Sequence, residues 1–227
     1  MPTMPLDRTF PGKAALVALL LTASLPASAA VIYDGGAPDQ GGTIYSQAPA
    51  AVAMDFSLAA GSNVVGGANW WGGCYPATAC GSSPDFQISF YADSGSGPGT
   101  LIKTFDAGTA NQTATGKQIG IGPSFDEYAY SATFAPLTLA AATTYWFSIT
   151  ETATEPAGTW GTETTSTAPA GSSAYSINIV GSTWTPLVET LGFQLTSQPV
   201  SVPEPSAVSL LGVGLAAVGF VRRRRAV

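Results

Sequence analysis

The chain has 227 residues, of which 45% are hydrophobic and 10% charged, and its formal net charge is −6. Most of its basic residues lie near the two ends, so residues 31–202 contain two lysines, no arginine and 12 carboxylates, a net charge of −10. A segment this acidic cannot neutralise phosphates, which excludes nucleic acid as a partner. The sequence contains no histidine, which excludes Ser-His-Asp and Cys-His catalytic sites.

The N-terminus has the three parts of an export signal. Arg8 and Lys13 supply positive charge, an apolar run covers residues 14–21, and small residues follow. The apolar run is shorter than the roughly 20 residues that a transmembrane helix requires. Residues 1–30 are therefore predicted to be a signal peptide that is removed on export, and a retained N-terminal anchor is the alternative.

The middle of the chain, residues 31–198, is dominated by an alternation of apolar and polar residues. Clusters of Gly, Pro, Ser and Asp interrupt this alternation, which is typical of strands joined by turns. Strands with one apolar face form antiparallel sheets, and two such faces must pack together. We expect an all-β fold, a single antiparallel β-sandwich with a jelly-roll-like order of about nine or ten strands. The predicted strands cover residues 51–56, 63–71, 86–91, 101–105, 127–134, 145–149, 157–163, 175–179 and 191–195.

Cys74 and Cys80 are the two cysteines of the chain. An even cysteine count in an exported protein favours a disulfide, which would close a small loop here. A redox or metal-binding pair is the alternative. Their spacing is not Cys-x-x-Cys, and the chain offers no histidine as a further ligand, so the disulfide is the favoured prediction.

The C-terminal segment, residues 199–227, has a composition of its own. A proline-rich linker leads into residues 207–221, which contain no charge, and four arginines follow at 222–225. At 1.5 Å per residue a helix over the apolar part would be about 22 Å long, and snorkelling arginines can extend its reach. The arginines would stay on the cytoplasmic side. This order predicts a transmembrane anchor that leaves the β-domain outside the inner membrane.

The order of Pro203-Glu204-Pro205, a short apolar helix and a terminal arginine run resembles the PEP-CTERM sorting signal. The resemblance implies recognition and cleavage by an exosortase, a membrane cysteine transpeptidase. It also implies a Gram-negative producer and a final location at the cell surface or in the extracellular matrix, with a link to exopolysaccharide or biofilm. The resemblance gives Pro203, Glu204 and Pro205 as the recognition positions and a retention signal of four arginines: Arg222, Arg223, Arg224 and Arg225. These residues are substrate positions, not catalytic ones.

Three tryptophans are candidate sugar contacts. Trp70 and Trp71 lie beside two glycines and the cysteine loop, and Trp160 lies in a later strand. An exposed indole can stack on the apolar face of a sugar ring, whereas a buried one fills the core. Because neighbours in a strand point to opposite faces, we expect at most one of Trp70 and Trp71 to be buried.

Acidic residues offer two further hypotheses. A glycan hydrolase or lyase would use a pair of carboxylates from among Asp126, Glu127, Glu151 and Glu163, but we expect these to be solvated loop residues. Asp93, in the turn-forming run at 92–100, is a candidate Ca²⁺ ligand, although that run has few carboxylates.

The function favoured by the sequence is therefore a non-enzymatic exported surface protein with no cofactor other than this candidate Ca²⁺. Its expected partners are the exosortase and, at the surface, exopolysaccharide. A lectin-like module is the first alternative and a hydrolase or lyase the second.

Overall fold

The computed structural model of the chain describes residues 29–75, 84–120, 124–153, 158–177 and 183–198. In these residues the regular structure consists of 14 β-strands. The strands, in chain order, are β1 (Val31–Asp34), β2 (Thr43–Tyr45), β3 (Ala51–Ser57), β4 (Val64–Tyr75), β5 (Asp85–Asp93), β6 (Pro98–Thr109), β7 (Asn111–Ile119), β8 (Phe125–Thr138), β9 (Thr144–Glu151), β10 (Thr159–Thr165), β11 (Ala174–Ile177), β12 (Thr185–Pro186), β13 (Thr190–Leu191) and β14 (Phe193–Thr196).

Eight of these strands form a sheet, here called sheet A, that is organised around the long strand β4. One edge of β4 pairs with β8, which in turn pairs with β7. The other edge pairs with β14 over residues 67–70 and with β10 over residues 72–75, so these two strands follow one another along β4. Strand β1 extends the sheet beyond β14, and β2 and β13 extend it beyond β10.

The other six strands form sheet B, in the order β12-β11-β3-β9-β5-β6. All of its pairs are antiparallel. Its central strands carry the clearest alternation in the sequence: Phe86, Ile88 and Phe90 of β5 are all fully buried, whereas Gln87 between them is exposed. This alternation gives sheet B one apolar face and one more polar face.

The apolar faces of the two sheets pack against each other. The Phe86 ring of sheet B lies 5.1 Å from that of Trp70 and 4.9 Å from that of Trp160, both from sheet A. Phe147 of sheet B stacks on Phe193 of sheet A at 4.6 Å. These contacts join residues of both sheets into one hydrophobic core. The predicted all-β class, antiparallel pairing and sandwich-like packing are confirmed.

Other parts of the prediction lie outside the described residues. The signal peptide and the apolar helix at 207–221 are among them. In the part of the chain that the structure describes, no helix is long and apolar enough to cross a membrane.

Candidate functional site on the outer face of sheet A

The side chains of the adjacent residues Trp70 and Trp71 point to opposite faces of sheet A. Trp70 points into the core and is 0% exposed, whereas Trp71 points outward and is half-buried. Trp160 also faces the core and is 1% exposed. The prediction that Trp70 and Trp160 contact sugar is wrong, because both indoles fill the space between the sheets. Trp71 is the one of the three that an external ligand can reach.

A row of polar side chains crosses the outer face next to Trp71. The strand registers align Asn111 of β7, Ser131 of β8, Asn69 of β4 and Gln194 of β14. Within the row, Asn69 Nδ2 donates a hydrogen bond to Gln194 Oε1 at 3.3 Å. The composition of this row is entirely uncharged, and nothing in the sequence marks its members as neighbours.

Trp71 stands in the adjoining row, with Ala129 on one side and Thr113 beyond it. The two rows line a shallow groove of about 190 Å³. We call this groove the open end of the outer face. Its lining residues are Asn69, Trp71, Asn111, Thr113, Ala129, Tyr130, Ser131 and Gln194.

Farther along the strands, the same face is covered and its side chains are buried. Glu127 of β8 and Glu163 of β10 are 1% and 0% exposed, although both belong to the outer face. The segment between β1 and β2 covers them through Gln40. The Gln40 backbone N–H donates to Glu163 Oε1 at 2.8 Å, and Gln40 Nε2 donates to Glu127 Oε2 at 2.9 Å. We call this carboxyl pair with its Gln40 cover the closed end.

Gln40 adopts a left-handed backbone conformation, with φ of 58°. Such a conformation is uncommon for residues other than glycine and persists where the surroundings hold it. Here both the backbone N–H and the side-chain amide of Gln40 are held by carboxylates, and its carbonyl accepts from the Gly120 N–H at 2.9 Å. Hydrogen bonds of its backbone N–H, its side-chain amide and its carbonyl therefore hold Gln40 over the two carboxyl groups.

The remaining oxygens of the pair, Glu127 Oε1 and Glu163 Oε2, have no hydrogen-bond partner among the described residues. Burial and, after it, the negative charges of Glu127 and Asp39 raise the pKa of Glu163 to about 8, against the lowering effect of the Gln40 N–H. Burial and a neighbouring carboxylate both favour the protonated form of Glu163. A proton on Glu163 would give the pair the hydrogen bond that its free oxygens lack.

The expectation that the acidic candidates are solvated loop residues is wrong for three of the four. Glu127, Glu151 and Glu163 are buried, and Asp126 is exposed. The structure pairs Glu127 with Glu163, which lie on strands either side of β4, and not with its chain neighbour Asp126. Glu151 lies elsewhere, at the end of β9, where its Oε1 accepts from the Ala153 N–H at 2.9 Å.

Asp93, the candidate Ca²⁺ ligand, has a hydrogen-bond partner in the structure. Its Oδ1 accepts a hydrogen bond from Trp146 Nε1 at 2.9 Å. The described ranges contain no group of three or more acidic, cysteine or histidine side chains that could hold a metal ion. Ca²⁺ binding at Asp93 therefore stays a prediction.

Sequence reasoning missed a set of aromatic side chains on the outer face of sheet B. The Trp184 ring meets Tyr91 edge to face at 5.6 Å, and Trp146 meets Tyr175 at 5.1 Å. Trp146 sits between Tyr145 and Phe147, which both pack in the core, so alternation could have placed it on this face. Trp184 is half-buried on this face, as Trp71 is on the outer face of sheet A.

Some predicted residues cannot be placed with the site. Cys74 is buried at the end of β4, opposite Trp160 in the register. Its predicted disulfide partner Cys80 lies outside the described residues, so the disulfide stays a prediction. The sorting positions at 203–205 and 222–225 also lie outside them.

Comparison with known proteins identifies the C-terminal segment. Residues 201–225 match the family model of the PEP-CTERM protein-sorting motif, and this range includes all seven predicted sorting positions. Neither the curated proteins nor the solved structures contain a match to the chain. The motif identifies the chain as a PEP-CTERM sorting domain-containing protein, exported and targeted by an exosortase at the membrane.

Proposed function

We propose that the protein is a non-enzymatic component of the cell surface or extracellular matrix of a Gram-negative bacterium, associated with its exopolysaccharide or biofilm. The observation that carries this proposal is the sorting motif at residues 201–225. The signal peptide directs the chain across the inner membrane, and the apolar segment at 207–221 holds it there until the exosortase acts. The mature part is then the β-domain at 31–198.

The closed end of sheet A supports a non-enzymatic role. A glycan hydrolase needs one carboxyl group that protonates the leaving oxygen and a second that attacks or activates water. Glu127 and Glu163 are the outer-face carboxyls that come together, but they are 1% and 0% exposed beneath Gln40. A polysaccharide chain could reach them only after the cover had left.

Processing is tested by mass spectrometry of the protein isolated from the surface of its producer. We expect a C-terminus near Pro203–Pro205, with the apolar helix and arginines removed. The variant Glu204→Ala should keep the full tail and remain in the membrane fraction. Glu189→Ala, at an exposed site in the β-domain, is the matched control and should be processed normally. Surface protein that retains Val227 would contradict exosortase processing.

The non-enzymatic role has a separate test. The full-length protein is incubated with neutral and acidic polysaccharides, and new reducing ends and unsaturated ends are measured. We expect neither. Turnover by the native chain that disappears in Glu163→Gln would establish the hydrolase or lyase alternative instead.

A lectin-like module is the second candidate. The half-buried outward position of Trp71, beside a row of amide side chains, favours it. A lectin-like role is compatible with a surface location. The chemistry of the groove indicates which class of polysaccharide it would bind.

A further inference from the structure

We propose that the open end of sheet A is a binding site for an uncharged polysaccharide chain. The residues that would carry it are Asn69, Trp71, Asn111, Thr113, Ser131 and Gln194. This inference deepens the proposed function and rests on it, since a surface location supplies the polysaccharide.

The hydrogen-bonding groups of the groove suit sugar hydroxyls. Each sugar hydroxyl both donates and accepts, and each Asn or Gln amide offers both kinds of atom on one side chain. Asn69 and Gln194 use one atom each for the bond between them, Nδ2 and Oε1. That bond leaves Asn69 Oδ1 to accept and Gln194 Nε2 to donate to a ligand. Asn111 at the other end of the row is exposed and adds a third amide.

Trp71 gives the groove its apolar contact. Trp71 lies opposite Ala129, a residue with a short side chain, in the register of the sheet. A half-buried indole in this position can stack its exposed face on the C–H face of a sugar ring, while the neighbouring amides bind the ring hydroxyls. The combination of one aromatic platform and several uncharged polar groups favours a sugar over an apolar ligand.

The shape of the site favours a chain over a single sugar. The four aligned residues of the amide row span three interstrand spacings, which is about 14 Å. The groove is shallow and about 190 Å³ in volume, smaller than the roughly 300 Å³ at which closed small-molecule pockets begin. An elongated ligand can lie along such a row and continue beyond it at both ends.

The charge of the surroundings selects an uncharged ligand. The groove contains no lysine or arginine, and the whole segment 31–202 has a net charge of −10. A polysaccharide rich in uronate groups would be repelled by this field and would find no cation to pair with.

The site is built on strands and needs little rearrangement to bind. Its residues come from four neighbouring strands, β7, β8, β4 and β14, and one internal hydrogen bond already orders the row. Pre-organisation lowers the entropy cost of binding, but a shallow groove still gives a weak single site. Many copies on one surface would then act together through avidity.

The test is affinity electrophoresis of the full-length protein in gels containing dextran, laminarin, galactomannan or alginate. We expect retardation by at least one of the three neutral polysaccharides and none by alginate. Trp71→Ala should weaken the retarding affinity at least tenfold, which corresponds to about 1.4 kcal/mol. Asn111→Ala should weaken it by a smaller factor.

Trp184→Ala is the matched control, because Trp184 is also half-buried but lies on the outer face of sheet B. It should bind as the native chain does. Binding to alginate alone, binding unaffected by Trp71→Ala, or loss of binding in Trp184→Ala would each overturn the proposal. If no polysaccharide binds a protein that is correctly processed and surface-located, this inference fails and the proposed surface role stands. If the protein is not found at the surface, the proposed role fails whatever the gels show.

Discussion

The outer face of sheet A has a closed end and an open end that lie within one or two residues of each other along the same strands. At the closed end, two carboxyl groups are buried beneath Gln40 and hold its backbone and side chain. At the open end, Trp71 and a row of amides remain accessible. The difference arises from a single feature, the segment between β1 and β2, which crosses one end and leaves the other free. Polar residues on one sheet face can therefore serve stability at one end and binding at the other.

Chemistry separates the two ends as clearly as burial does. Burying a carboxylate is costly unless it is paired or protonated, whereas an uncharged amide keeps the same state at every pH. The closed end should thus respond to pH and the open end should not. The following predictions test this contrast, from the largest expected effect to the smallest.

The largest effect should come from the two adjacent tryptophans that define the faces. Trp70→Ala removes a fully buried indole that contacts Phe86 and Tyr130, and should destabilise the protein by about 3–5 kcal/mol. Trp71→Ala removes a half-buried outward indole and should cost only about 1 kcal/mol. Urea denaturation followed by circular dichroism measures both. Equal losses in the two variants would show that Trp71 is part of the core.

The second effect is a loss of stability as pH rises. The pKa of Glu163 is raised to about 8 by burial and by the charge of Glu127. The folded state therefore holds a proton that the unfolded state releases above about pH 4.5. Stability from this group is complete below that pH and falls by up to about 1.4 kcal/mol per pH unit until about pH 8. Denaturation midpoints measured from pH 5 to pH 9 should show the decline.

Glu163→Gln is the variant that isolates this effect. The new amide stays neutral, can still accept from the Gln40 N–H, and can donate to the free Glu127 oxygen. Its pH slope should be shallower than that of the native chain, and its stability at pH 8 should be higher. Some slope should remain, because burial also raises the pKa of Glu151 and of Asp55. An unchanged slope would mean that Glu163 does not cause the decline in stability.

The third effect compares the same substitution at the two ends. Gln40→Ala leaves Glu127 Oε2 buried without its donor and should cost about 1–3 kcal/mol. Gln194→Ala removes a half-buried amide whose partner Asn69 can turn to water, so it should cost less than about 0.5 kcal/mol. Thermal unfolding of the two variants at pH 6 gives the comparison. A larger loss for Gln194→Ala would reverse the roles assigned to the two ends.

The alternation of apolar residues was sufficient to predict the fold class and most of the strands. Strands β3, β5, β8 and β9 contain the predicted ranges and extend beyond them at one or both ends. Strand β7 was missed, because Asn111–Ile119 is mostly exposed and lies at the edge of sheet A, where no apolar face is required. Strand β7 supplies two residues of the open end, so the sequence did not predict that part of the site.

The site itself could be predicted only in part. Alternation requires that Trp70 and Trp71 face opposite ways, but it does not say which of them faces the core. The pairing of Glu127 with Glu163 depends on the register of both strands against β4, which no local pattern encodes. The burial of that pair depends on Gln40, more than 80 residues away from Glu127 in the chain. By contrast, the sorting motif is a local signal and was readable in full.

The most direct test of the contrast between the two ends measures binding of Trp71→Ala and Glu163→Gln side by side. The neutral polysaccharide that retards the native full-length protein most strongly is used for both. The account predicts that Trp71→Ala loses binding at least tenfold and that Glu163→Gln binds as the native chain does. Loss of binding in Glu163→Gln with retention in Trp71→Ala would contradict it and would place the ligand at the carboxyl pair.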